Sequence, residues 1–390
     1  MSIARLNLVS AKRPARTLFT LTLLAAAISS ASSAMAAPEV ARSVKVDESV
    51  YEIVFGPKTQ AVYVAVTGER VLEAENKGES KENKVTAGIV VLDANTLEQV
   101  NKIATGKLTP FGLAINNQSQ KLYAVDTTKG QVGVYAVDSG KEVAVIESTG
   151  NESKHLRQAV VDEKNNKIYV SAVGGMSRDD QPGPKSAIWV IDGTTDKLES
   201  VILDPVTTAA GLALDADKQR LYVSDLSRNQ VAEVDLKSQQ VLRTFASVAP
   251  AERAPAEKSD TINLEIDTKN GILYAINQKS GGVAMIELKS GKILNTIKTG
   301  SGALNAGLNP HTGDLYVANR GDGTVTVIDG KTHFVTAHLA TGTHPQTIAI
   351  DPKTGQVYVS NKAKGKGRNA AKDAPTPIEA GGNTVSLITQ

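Results

Sequence analysis

Five side chains spread through the chain have the chemistry of a small ligand site. Phe111 offers an aromatic face, Arg157 a fixed cation with a planar fork of donors, Asn263 and Asn305 amides that both donate and accept, and His344 a ring that titrates near neutrality. The plain alternative is that Phe111 is core and that Arg157 and His344 satisfy backbone carbonyls. A second set is local: Lys362, Lys364, Lys366 and Arg368 alternate with Ala and Gly in "KAKGKGR", and Lys372 follows. A run of this kind can track a chain of phosphates or carboxylates, each cation neutralising one anion. It has no interleaved aromatics for base stacking, and a solvated loop is the ordinary reading of such a stretch.

Catalytic patterns are weaker. The histidines are His155, His311, His333, His338 and His344, and no pair has the helical spacing of a zinc site. Asn263, Glu265 and Asn305 are the residues that suggest a calcium site, but they do not make one by spacing. No phosphate-binding glycine loop or dinucleotide fingerprint occurs. Cysteine is absent, which excludes thiol nucleophiles, thiolate metal sites and covalent haem. No catalytic residue is assigned, and neither a cofactor nor a metal is expected.

These residues must be held by repeated elements. Tyr63, Tyr123, Tyr169, Tyr222, Tyr274, Tyr316 and Tyr358 each lie in an alternating apolar run such as "VYVAV" or "LYVSD". Seven residues before them stand Gly56, Asn116, Asp162, Asp215, Asp267, Asn309 and Asp351. Alternation punctuated by Gly, Asn and Asp reads as antiparallel strands joined by tight turns. After each tyrosine comes another apolar strand, as in "VVLD" or "WVID", then a more polar one such as "KILNTIKTG". Trp189 belongs to such a third strand. Each unit is thus four strands, too small to shield its own faces, so the units stack around an axis. The prediction is an all-β fold: a seven-bladed β-propeller of four-stranded antiparallel blades. The last unit stops at Gln390, one strand short, and "ARSVKV" at 41–46 is predicted to complete that blade and close the ring.

The spacing of the units varies in one way only. Long insertions follow the second strand at 68–87, 174–187 and 361–383, or fall in a crossover between units at 248–260. In a four-stranded meander both connections emerge on the same side. One face is therefore elaborated, and such a face is the expected interaction surface, drift in unconstrained loops being the alternative. The crossovers also deliver the chain to the innermost strands, which places Phe111, Arg157, Asn263, Asn305 and His344 around the mouth of the axial channel.

Residues 1–36 differ from the rest. Arg5, Lys12, Arg13 and Arg16 precede an apolar run from Leu18 to Ser29, and Ala34, Met35 and Ala36 form a small-x-small cleavage pattern. This predicts a cleaved signal peptide over 1–36 and a single propeller domain over 37–390. The run is too short to span a bilayer, for which about 20 residues are needed. Of 43 Lys+Arg and 41 Asp+Glu, the leader takes four cations and no acid. The remaining chain is near neutral, so any polyanion site must be a local patch.

"YVANRGDGTVTVID", "YVSNK", "KLTPFGLAINN", "GLALDADKQRLY" and "THPQTIAI" together resemble the YncE-like, YVTN-type family of bacterial propellers over nearly the whole chain after the leader. The resemblance implies a periplasmic seven-bladed propeller without an established enzyme activity, for which single-stranded DNA binding has been the activity proposed. It brings no catalytic set with it. The combined expectation is a monomeric, non-enzymatic periplasmic protein, not inserted in a membrane. Its elaborated face and channel mouth would hold single-stranded DNA, another polyanion or a periplasmic protein. A hydrolase or lyase at the same mouth is the alternative expectation.

Overall fold

The tight turns explain the architecture from the bottom. In a computed structural model, which describes residues 37–46, 49–68, 86–175, 183–249, 260–365 and 379–390, the residue seven before each repeat tyrosine ends or directly follows the first strand of a unit. In every unit but the first, where it is Gly56, its side chain caps the turn. Asn116 Oδ1 accepts the backbone N–H of Gln118 and of Ser119, both at 3.0 Å. Asp162, Asp215 and Asp267 each accept the amide three residues on, again at 3.0 Å. A short side-chain oxygen that satisfies turn amides fixes the hairpin, and the hairpin fixes which residue faces the tyrosine.

Seven four-stranded antiparallel sheets result, with no helix among the described residues. Their innermost strands are Val50–Gly56, Gly112–Asn116, Leu156–Asp162, Ala209–Asp215, Thr261–Asp267, Ala303–Leu308 and His344–Ile350, taken here as blades 1 to 7. The middle strands are buried on both faces. The outermost are largely exposed, as in Glu142–Glu147 and Val335–Ala340. Seven apolar clusters fill the seams between neighbouring blades, including the seam between the last and the first, where Val62, Val64 and Leu92 meet Tyr358, Val385 and Leu387. Removing these aliphatic side chains from water stabilises the ring by about 1.5–3 kcal/mol each.

The repeated tyrosine ties one blade to the next. Tyr358 donates its hydroxyl hydrogen to the Ala94 carbonyl at 3.1 Å, from blade 7 to blade 1, and Tyr123 reaches Asp196 of blade 3 at 3.4 Å. Trp189 is fully buried in the third strand of blade 3, in the structural place expected of it.

Blade 7 is completed by the N-terminal strand. Glu39–Lys45 pairs antiparallel with Thr384–Thr389, from Glu39 opposite Thr389 to Lys45 opposite Thr384, and the Ser43 and Ser386 hydroxyls lie 2.6 Å apart. The strand begins two residues earlier than the sequence pattern suggested, because a bulge between Val40 and Arg42 interrupts its alternation. The ring Ala37–Gln390 is one compact unit. The leader assigned to 1–36 lies outside the described residues, as does half or more of each insertion: 69–85, 176–182, 250–259 and 366–378.

Candidate functional site

Aligning the inner strands on their tyrosines explains who meets at the axis. Twelve residues before the seven tyrosines stand Tyr51, Phe111, Arg157, Ala210, Ile262, Leu304 and Gln346. All but Ala210 line one cavity of about 330 Å³ at the channel mouth, on the side from which the insertions emerge. Eleven residues before them stand Glu52, Gly112, Gln158, Gly211, Asn263, Asn305 and Thr347. This second ring is largely a set of latches between blades. The Gln158 side-chain oxygen accepts the Leu212 amide at 2.8 Å, Asn305 accepts Ile348 at 3.0 Å, and Thr347 accepts Ile53 at 3.0 Å.

Arg157 is the centre of the mouth. Its Nη1 donates to Asn263 Oδ1 at 2.9 Å, so blade 3 reaches blade 5 across blade 4. Blade 4 allows this by being small there, with Ala210 and Gly211. A Cβ on Gly211 would stand 2.5 Å from Asn263 Cα. Asn263 spends its other group on the Leu304 carbonyl at 2.6 Å, which locks the amide in the orientation that accepts from the arginine. Burial lowers the Arg157 pKa to about 10, against the opposing pull of Glu52, and leaves it charged at neutral pH. Burial pushes Glu52 up to about 7, with Arg157 drawing it back down. His155, also in the lining, is lowered by burial and then by Arg157.

An aromatic wall faces this pair. Tyr51 and Phe111 meet edge to face with ring centroids 4.8 Å apart. Lys362 lies over the Tyr51 ring, its Nζ 3.8 Å from the centroid, and also bonds the Tyr51 hydroxyl. Arg320 completes the cationic rim.

The five predicted ligand residues are therefore divided. Phe111, Arg157 and Asn263 come together in the mouth. Asn305 lines the channel below it, its carbonyl oxygen committed to blade 7. His344 sits at the start of the blade 7 inner strand, opposite Lys362, outside the mouth lining. Burial lowers its pKa, and the nearby Arg320 and Lys364 lower it further. Of the basic run, Lys362 ends a strand at the mouth, and Lys364 follows it with its amide on Glu379 at 2.7 Å. Lys366 and Arg368 lie outside the described residues. Tyr51, Glu52 and Arg320 were missed by pattern reading. The signal that would have found the first two is the column twelve and eleven residues ahead of each tyrosine, and Arg320, like Thr127, stands four residues after one. Among the described residues no group of three or more His, Asp or Glu side chains is arranged to hold a metal ion.

Residues 144–318 match the family model described as SMP-30/Gluconolactonase/LRE-like region. The chain is 30% identical over 279 residues to the uncharacterized protein YncE of Salmonella typhi, covering 69% of this chain and 70% of that one. It is 28% identical over 274 residues to the uncharacterized protein YncE of Escherichia coli strain K12, covering 67% and 68%. With seven closed blades and a likeness that runs through most of both chains, the protein belongs to the YncE family of β-propellers.

Proposed function

We propose that this propeller is a binding protein that works in the periplasm and seats an anionic partner, single-stranded DNA first among polyanions, on its insertion-bearing face. The observation that carries the reading is the composition of the mouth. Arg157 is fixed by Asn263, Arg320 and Lys362 stand on the rim, and Tyr51 and Phe111 supply apolar rings beside them. Cations spaced about an aromatic wall suit a strand whose phosphates are neutralised and whose bases stack. Lys364, Lys366 and Arg368 would extend the same field along the chain after Lys362. This reading is preferred to a hydrolase or lyase because Glu52 is the lone carboxyl among the described residues lining the mouth, and acid–base hydrolysis more often uses a pair.

Fluorescence anisotropy of a labelled oligothymidine titrated at several salt concentrations tests it. Three phosphate contacts would give a slope of about −2 in log K against log salt. Lys362→Ser should weaken binding and flatten that slope by about 0.7. Binding that is absent, or indifferent to salt, would reject the polyanion and leave a protein partner as the occupant of this face.

A further inference from the structure

Below the mouth the axial channel changes character. Its cavity of about 430 Å³ meets the mouth at Glu52 and Gln158, which line both. Opposite the repeat tyrosines, across the first hairpin of each blade, stand Val54, Ala114, Val160, Ala213, Gly307, Ala349 and, in blade 5, Glu265. One level of the ring is thus six small apolar residues and one carboxyl.

The charges along this channel are all acidic, since no lysine or arginine is among the described residues that line it. Glu52 at the neck is answered by Arg157. Glu163 at the far end accepts the Asn117 amide at 2.7 Å. Among the described residues Glu265 has no cation of this kind: its Oε1 takes the amide of its neighbour Ile266 at 3.2 Å, and the charge that acts on it, Asp267, has the same sign. A partly buried carboxyl without a counter-ion costs stability. Such a cost is usually retained where a ligand relieves it.

We propose that the axial channel is a second binding site, taking a small primary alkylamine whose ammonium group pairs with Glu265 and whose hydrocarbon chain lies against the apolar ring. The volume suits a small molecule. An ammonium group needs only a few acceptors, whereas a calcium ion takes six to eight oxygens, more than one carboxyl and an already committed Asn305 supply. The inference stands apart from the anionic partner of the mouth, because different residues carry it.

Ligand-observed NMR and calorimetric titration of the full chain with 1-butylamine at pH 8 decide it, with 1-butanol and butyrate as controls of equal shape. Butylamine should bind and neither control should. Glu265→Gln, which keeps volume and removes charge, should weaken butylamine about tenfold or more. Ala213→Leu narrows the same level without touching the charge and should weaken it too. No butylamine binding, equal binding of butanol, or full affinity in Glu265→Gln overturns the proposal. Displacement of butylamine by equimolar calcium chloride also overturns it, by making Glu265 a metal ligand.

Discussion

Glu52 and Glu265 hold their protons to about pH 7, well above the ordinary carboxyl value of 4.5, because burial disfavours the charged form. Between those limits the folded chain binds more protons than the unfolded one, so stability falls as pH rises from about 4.5 to about 7. Glu265→Gln should therefore stabilise the protein by about 1–3 kcal/mol at pH 8 and leave it unchanged at pH 4. Urea melts at the two pH values measure this, and an equal effect at both would contradict the assignment. Glu52→Gln should gain less, since it strands Arg157 without its counter-charge. At this scale the sequence was partly legible. Phe111, Arg157 and Asn263 stand at strand heads and were readable as mouth residues. His344 sits in the same general place but two residues earlier in the repeat than Gln346, enough to leave it outside the lining. Glu52 was hidden because its strand opens blade 1 just after the closing strand, and nothing in "DESVYEIVFG" distinguishes a mouth carboxyl from a solvated one until the seven strands are laid side by side.

The inner strands have to converge on the axis, and glycine is what lets their backbones approach. Gly112 stands level with Gln158 in the repeat, and a Cβ there would lie 2.6 Å from the carbonyl oxygen of Arg157, a backbone atom that cannot swing aside. Gly112→Ala should cost about 1–3 kcal/mol, read as a lower urea midpoint. It should also weaken oligothymidine binding more than a distant substitution of equal cost, because the shift passes directly to Arg157. A melt unchanged from the parent would show that the blade 2–3 seam is looser than this contact implies. Strand existence and order were legible from alternation and from the Asn and Asp turns. Their ends were less so. Bulges interrupt six of the seven inner strands near their heads, for example between Leu156 and Ala159 and between Pro345 and Ile348. The two-residue period on which the reading depends is lost at the positions that shape the mouth.

For the molecule as a whole, closure is the decisive feature. Removing residues 37–46 takes away the outer strand of blade 7 and bares the edge of Thr384–Thr389. The loss should be about 3–6 kcal/mol from backbone pairing alone, with a broadened thermal transition by calorimetry. A truncated protein that melts as sharply and at the same temperature would refute the role given to this strand. The seven-fold count was legible because tyrosine and turn residue keep their separation in every unit. The occupant of the decorated face was not, because insertions carry no such period and their chemistry depends on neighbours that only the ring brings together.

Ser43 touches Ser386 across 343 residues. A chain made from its first residue onward accumulates wedges in an open horseshoe, and its earliest strand has nothing to zip against until the final one arrives. During that interval an unpaired edge is on offer at each tip, the condition under which neighbouring copies exchange strands. Loss of the final ten residues would accordingly give a gaping arc prone to self-association, not a smaller torus.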